Sequence, residues 1–416
     1  MKDIFFGCSK QIIRYGFLRR DVNHMKKLIE SLSKSRVIIF NKDTPSRHGL
    51  EVLFNNNSKK LTILEIKRHP LIKDIIHKWL SFNIEMEKHV SNKTILPWNE
   101  IDDDIKKVSV FWMGFDDMKV LSDSEGTSFY SIDIGDSTIL KEYINSKFVE
   151  NGENKYSNGM FDAISFNNTE STAYAYAKMF LDFTQKNNFC PSCGGHVVAT
   201  DLGSRLYCLN DSPYNDHQCK VNYTSNNLQF PRTDPVIIIA LYDDNGRILL
   251  GSNTKRHPPK LTKIINPETK IEEIHSTTMY TCFAGFMEPG ETIEHACVRE
   301  VYEETGLHVS EHDIRIVESQ PWPFPANLMI GCIGMIKGRQ RDESQINIDH
   351  DKELDDVRWF SGEEVLTVLD GGTSYSTLPN SKPENSIARW NAPPAESVAG
   401  RILRKAVDLH GKELVL

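Results

Sequence analysis

Between Gly285 and Leu307 the chain reads GFMEPGETIEHACVREVYEETGL. Glu300, Glu303 and Glu304 fall at i, i+3 and i+4, so a helix would gather the three on one face. Like charges so placed repel one another, and a helix gains nothing from the arrangement by itself. A fourth glutamate, Glu291, precedes them, with Arg299 directly ahead of Glu300 and glycines at 285, 290 and 306. A solvated acidic face would explain the glutamates alone. It would not explain glycines and an arginine at set offsets around them. Divalent cations relieve the repulsion, and Mg²⁺ and Mn²⁺ prefer hard oxygen ligands. Carboxylates that gather such ions suit attack of water on a phosphoanhydride, because the metals bridge phosphate oxygens and lower the pKa of bound water. The spacing supports a metal–phosphate site and names no substrate.

The chain's 416 residues suggest two or three domains with ample material for a buried core. No apolar run is long enough to span a bilayer. A net charge of −8 argues against a broad, charge-driven nucleic-acid surface, though not against recognition of one nucleotide or a transcript end. The N-terminal twenty residues lack the apolar core of a secretory signal, and their basic, acid-poor character only mildly resembles a transit peptide. They are expected to form a first structural element.

Residues 1–165 read as an α+β domain: a helix over 21–33, then strands over 37–40, 61–66, 108–115 and 128–134, the last alternating as a half-exposed strand would. No constellation of catalytic type is found there. The polar stretch 151–159 reads as a linker. A helix follows within 166–187, running over 170–186, with Ala173, Ala177, Phe180 and Leu181 on one stripe suited to docking.

Eight cysteines in a chain of this size suggest a reducing compartment rather than a secreted disulfide framework. Cys8, Cys282, Cys297 and Cys332 are scattered and read as small buried residues. Cys190 and Cys193 form a C-x2-C pair, followed by Cys208 and Cys219. That is the pattern of a Cys₄ zinc ribbon, here over 188–230, and four protein ligands would leave the metal a structural role. The ten residues between Cys208 and Cys219 are more than a compact knuckle needs. His217 is therefore a candidate substitute for Cys219 as the fourth ligand.

Residues 231–416 read as a second folding unit. A strand over 235–241 turns at Asn245-Gly246 into 248–250, with further strands over 314–317 and 357–360 and a last helix over 395–408. Strands before the acidic helix, strands after it and a terminal helix predict an α/β fold, a mixed sheet sandwiched between helices. Past the helix lies Ser319-Gln320-Pro321-Trp322-Pro323-Phe324-Pro325-Ala326-Asn327, where three prolines alternate with Gln320 and two aromatics. Such a segment is stiff and has little entropy to lose on binding, and its rings could stack a base or simply cover the core.

With every defining position filled, Gly285–Leu307 resembles the Nudix box. The stretch 319–327 is similar to the SQPWPFPxS signature of NADH pyrophosphatases, the NAD-capped RNA hydrolase subfamily, with Asn327 in place of the final serine. The upstream cysteines, the run Phe230-Pro-Arg-Thr-Asp-Pro235, Pro393-Pro394 with Ser397-Val398-Ala399, and the start from Phe5 to Arg19 resemble the same subfamily, its fungal members above all. The resemblance implies a Nudix fold behind a zinc ribbon and an α+β N-terminal domain. It also implies hydrolysis of NADH or NAD⁺ to nicotinamide mononucleotide and AMP, with removal of NAD caps from RNA 5′ ends as a second activity. Glu300 and Glu304 would be the principal Mg²⁺ or Mn²⁺ ligands, and Glu303 a further ligand or the group that orients water. Arg299 and Glu291 would brace the loop–helix–loop. The Ala284 carbonyl and the more distant Glu353 would complete the metal site, with Asp351, Asp355 and Asp356 as neighbouring acids. Phe230, Phe286, Ala399 and the segment from Gln320 to Asn327 match substrate-contacting positions.

The family implies a homodimer. An intracellular, cytoplasmic location is expected. The peroxisomal location of some fungal relatives calls for a terminal tripeptide of Ser-Lys-Leu type, where this sequence reads Leu414-Val415-Leu416. Two other functions share parts of this pattern: a Nudix hydrolase of ADP-ribose or diadenosine polyphosphates, which share the ADP half, and a non-catalytic NAD-binding module. The proline–aromatic segment argues against the first. The complete set of carboxylates argues against the second.

Overall fold

An unbroken apolar run suits a strand covered on both faces, and in the computed structural model the run from Asp234 to Asp243 is such a strand. The structure describes residues 6–7, 12–43, 49–92, 94, 96–115, 127–157, 160–163, 165–211, 219–224, 227–265, 270, 272–371, 374–375 and 386–410. Contacts divide the chain into two units: Phe5–Thr233 with Trp322–Ala326, and chiefly Asp234–Pro321 with Asn327–Leu416.

In the second unit, strand Asp234–Asp243 runs parallel to Asn327–Ile336 along its whole length. Its other edge is shared antiparallel by Phe283–Phe286 near its start and Arg247–Ser252 near its end. Ile314–Trp322 and Asp356–Ser361 extend the sheet at its two sides. Side chains of a strand alternate between faces. Ile237, Ile239 and Leu241 pack against Ala296, Cys297 and Val301 of the helix Ile293–Thr305. Ile238, Ala240 and Tyr242 meet Ile402, Leu403 and Ala406 of the terminal helix Val398–His410. The expected mixed sheet between helices is thus present. Lys260–Ile265, Glu272–Met279, Ser386–Asn391 and Ser374–Tyr375 form a further four-stranded sheet that the sequence reading did not anticipate.

In the first unit, Arg36–Asn41 lies parallel to Ser128–Asp133 and antiparallel to Glu51–Asn55 and Ile63–Glu65. Three expectations need correction. Ser128–Asp133 is buried throughout rather than half-exposed, because it lies between Arg36–Asn41 and Ser109–Phe115 with packed side chains on both faces. The strand over 61–66 is broken at Thr62, whose hydroxyl donates to Asn154 Oδ1 at 2.7 Å. Within the supposed linker, Asn154–Ser157 is a strand paired with Glu51–Asn55. The first helix is Val22–Glu30, capped by Asp21.

The helix Pro70–Asn92 is a further element without a counterpart among the expectations, although Ile72, Ile75, Ile76, Trp79 and Leu80 recur at helical spacing behind a first-turn proline. Helix Asn168–Lys186 opens on a capping box of Asn167 and Glu170, and Ala173, Ala177 and Leu181 sit in this unit's core.

Ile402 is fully buried beneath the central strand. Ile402→Ala should lower stability by about 2–5 kcal/mol, read as a lower denaturant midpoint with an unchanged slope.

Candidate metal–phosphate site and cysteine cluster

The acidic helix Ile293–Thr305 is held at both ends. Thr292 caps its start by accepting from the His295 N–H at 3.2 Å. Gly306 ends it in the left-handed region (φ 71°), its N–H donating to the Tyr302 carbonyl at 2.8 Å. A Cβ on Gly306 would sit 2.9 Å from the Asn347 side chain. The Asn347 N–H donates to the Thr305 carbonyl at 2.8 Å. His350 then bonds the Tyr302 carbonyl at 3.2 Å, so the acidic loop that follows is tied to the end of the helix.

Gly285 lies where no side chain fits. A Cβ there would come within 2.0 Å of the Glu300 carboxyl carbon, so this carboxylate rests against the strand backbone. The Arg299 guanidinium reaches Glu291 through Nε (2.6 Å) and Nη2 (3.0 Å), and the Phe286 carbonyl through Nη2 (2.8 Å). Its Nη1 donates to Glu300 at 2.6 Å and Glu303 at 3.0 Å. Arg299 thus joins loop to helix and also neutralises two of the expected metal ligands.

Glu304 points inward and accepts from the Ala284 N–H. Its Oε2 is buried without a hydrogen-bond partner. Burial pushes its carboxyl up to about 9, with the charges of Glu300, Asp351 and Glu353 adding to the shift. Burial likewise raises Glu300, with Glu303 and Glu353 contributing against the pull of Arg299. Glu353 and Asp351 are exposed, and the Glu353 N–H donates to Asp351 Oδ1 at 3.0 Å. The fold brings Glu353 within electrostatic reach of both Glu300 and Glu304, and Asp351 within reach of Glu304.

Phe286 and Phe230 are exposed aromatics, the latter with the Arg205 guanidinium 5.7 Å from its ring centre. Gln320 is buried, and its Oε1 accepts from the Val398 N–H at 3.0 Å. Asn327 begins the strand parallel to Asp234–Asp243, with its Oδ1 buried and without a hydrogen-bond partner. Ala399 is buried in the terminal helix, and its carbonyl accepts from the Cys282 thiol at 3.9 Å. Pro321 is half-buried, Pro323 buried, Ala326 half-buried and Pro325 exposed. Trp322 and Phe324 are half-buried and pack on Phe6, at 5.7 and 5.8 Å between ring centres.

Cys190, Cys193, Cys208 and Cys219 place their sulfurs within 4.8 Å of one another. Tetrahedral zinc with bonds of ~2.3 Å separates its thiolates by roughly 3.8 Å. The Cys190–Cys219 and Cys193–Cys208 separations are 3.8 and 3.4 Å. Backbone N–H groups two residues on, from Gly195 and Asn210, donate to the Cys193 and Cys208 sulfurs at 3.4 and 3.3 Å. Burial pushes the Cys193 and Cys208 thiols up, a penalty that a bound divalent cation removes. The long spacing is accommodated by two asparagines. Asn210 Oδ1 accepts from the Cys219 N–H at 2.6 Å, and Asn222 Oδ1 accepts from the Cys208 N–H at 3.0 Å. His217 lies outside the described residues.

The NUDIX domain family matches residues 231–378, the stretch that holds the acidic helix and its sheet. The chain carries a Nudix domain. It is similar to the NAD-capped RNA hydrolase NPY1 of Saccharomyces cerevisiae, with 40% identity over 205 residues, 49% of this chain and 48% of that protein. The NAD-capped RNA hydrolase of Schizosaccharomyces pombe is 40% identical over 223 residues, 53% of each chain. NAD-capped RNA hydrolase NudC of Vibrio parahaemolyticus is 34% identical over 208 residues, 50% of this chain and 62% of that one. The chain thus matches roughly half to three-fifths of the length of these relatives.

The residues of the Nudix domain fit a divalent cation: their donors are hard oxygens, one of them buried without a partner, and their mutual repulsion needs a counter-charge. The raised Glu304 carboxyl also sets a pH dependence. Below its ordinary value of 4.5 the folded and unfolded states are both protonated, and the buried position costs nothing extra. As pH rises from there toward about 9, the unfolded chain ionises first, so stability falls. Metal-free Glu304→Gln should therefore melt higher than metal-free wild type at pH ~8, with the gap closing near pH ~4. Calorimetry at the two pH values checks this, and a gap of equal size at both would refute it.

Proposed function

We propose that the chain is a metal-dependent NAD(H) diphosphatase. It hydrolyses the pyrophosphate of NADH or NAD⁺ to nicotinamide mononucleotide and AMP, and acts in the same way on NAD-capped RNA 5′ ends. The observation that carries the proposal is the buried Glu304 carboxylate, held by the Ala284 N–H among the charges of Glu300, Asp351 and Glu353. Similarity to proteins named NAD-capped RNA hydrolases supports the substrate class.

Bound Mg²⁺ or Mn²⁺ supplies Lewis-acid stabilisation of the phosphate oxygens and an acidified water. Glu300, Glu304 and Glu353, with the Ala284 carbonyl, are the groups that hold it. Gly285 lets the Glu300 carboxylate lie against the strand. Arg299, anchored on Glu291 and the Phe286 carbonyl, fixes the loop before the helix and keeps Glu303 oriented. Glu303, whose side chain is partly exposed, orients the attacking water or takes its proton. Exposed Phe286 and Phe230 offer faces for a base or nicotinamide ring. The segment from Gln320 to Asn327 selects the dinucleotide.

The four cysteines form a structural Zn²⁺ site. Eight cysteines in a chain of this size fit a reducing, cytoplasmic setting better than a secreted disulfide framework. The working form is a homodimer. No helix among the described residues is long and apolar enough to cross a membrane.

Product analysis with NADH, NAD⁺ and NAD-capped RNA side by side should show AMP release from the free dinucleotides and decapping of the RNA. Release of no product from any of the three in Mg²⁺ or Mn²⁺ would refute the proposal. Gly285→Ala, which pushes Glu300 off the strand, should cost about 100-fold in turnover. Metal analysis should find one zinc per chain, lost in Cys208→Ser together with thermal stability. Zinc-free wild-type protein would remove the cysteine assignment.

A further inference from the structure

Lys178 is a buried lysine that the proposed chemistry does not use. It lies on the helix Asn168–Lys186 with a relative exposure of 2%. Its ammonium reaches the Leu50 carbonyl at 3.5 Å, a long contact for a charged donor. Asp182, one turn further on, is bonded instead to Lys186 at 2.5 Å. Among the described residues no carboxylate comes within salt-bridge distance of Lys178. Asp182 and Glu51 attract it from further away, and Lys186 repels it. Burial dominates and lowers its pKa. A methionine would fill the same volume without the cost of a dry charge.

What the charge does face is an aromatic ring. The Lys178 ammonium stands 5.9 Å from the centre of Phe324. Phe324 belongs to a four-ring cluster, with Trp322 at 5.4 Å, Phe6 at 5.8 Å and Tyr174 at 6.3 Å between ring centres. Tyr174 precedes Lys178 by one helical turn, so the two share a face. By its contacts Trp322–Ala326 belongs to the same unit as that helix. A cation over a ring in dry surroundings is held more firmly than at a wet surface.

We propose that Lys178 is a positioning residue for the segment Trp322–Ala326, holding Phe324, and through it Trp322, in the conformation that selects a dinucleotide. The consequence for substrate rests on the NAD(H) diphosphatase reading, whereas the hold on Trp322 and Phe324 does not. Lys178 touches no reacting atom; it acts on selection through Phe324.

Fluorine NMR of the full chain labelled with fluorotryptophan tests the hold directly, the Trp322 resonance being the one that Trp322→Phe removes. Lys178→Met should shift or broaden that resonance, Lys178→Arg should preserve it, and Lys186→Met should leave it unmoved. In steady-state hydrolysis of NADH, Lys178→Met should raise KM roughly threefold to thirtyfold, the range a buried cation–π contact commands, with a smaller change in kcat. Lys178→Arg should restore most of the loss, and the losses of Lys178→Met and Phe324→Leu should combine to less than their sum. If Lys178→Met does not fold, Lys178→Gln is read in the same way. A folded Lys178 variant with an unmoved Trp322 resonance, or with losses that add to those of Phe324→Leu, overturns the proposal. Wild-type protein that leaves NADH intact would sink the diphosphatase reading while the fluorine resonance still decides the role of Lys178.

Discussion

Repulsion among carboxylates at one end of a short helix is the constraint on which the Nudix domain depends. Glu304 is buried beside Glu300, with Asp351 and Glu353 adding charge from a following loop. Nothing in helix propensity rewards such a grouping, and burial makes it worse. Its surroundings are arranged to tolerate it. Gly285 opens the strand to the Glu300 carboxylate, the Ala284 N–H meets Glu304, and Arg299 spans Glu291, Glu300 and Glu303. The central strand anchors this by burying Ile237, Ile239 and Leu241 under the same helix. Stability is given up locally to gather hard oxygen donors whose repulsion a divalent cation would relieve.

Much of this was legible in the chain because the constraints are local. Glycines at 285 and 306 each answer a close approach or a left-handed turn that leaves no room for a side chain. The helical spacing of Glu300, Glu303 and Glu304 fixes which of them share a face. What the sequence could not show is long-range. The alternation in Ser128–Asp133 gave no sign of the neighbouring strands and packed side chains that bury it on both sides. The strand Asn154–Ser157 hides in a polar stretch because its partner, Glu51–Asn55, lies a hundred residues upstream in a sheet built from several segments. The reach of Arg299 to Glu300 was likewise not legible, since adjacent helical residues do not face one another and the resemblance implied only a brace between Arg299 and Glu291.

The cysteine cluster shows how spacing misleads when the loop between two ligands is long. Asn210 and Asn222 bond the backbone at Cys219 and Cys208, so convergence of the four sulfurs does not require a compact second knuckle. The proline–aromatic segment gives a similar lesson. Its two rings were open to a role in stacking; Trp322 packs on Phe6, and Phe324 on Phe6 and Tyr174. The residues that hold these rings, Phe6 and Tyr174, lie far away in the chain.

The central claim is that these carboxylates form a divalent-cation site. Titration of metal-free protein with Mn²⁺, followed by the paramagnetic resonance of the free ion, tests it most directly. Wild type should bind the ion saturably, and a variant carrying both Glu300→Gln and Glu353→Gln should not. Equal binding by the two proteins, or none by the wild type, would contradict the account.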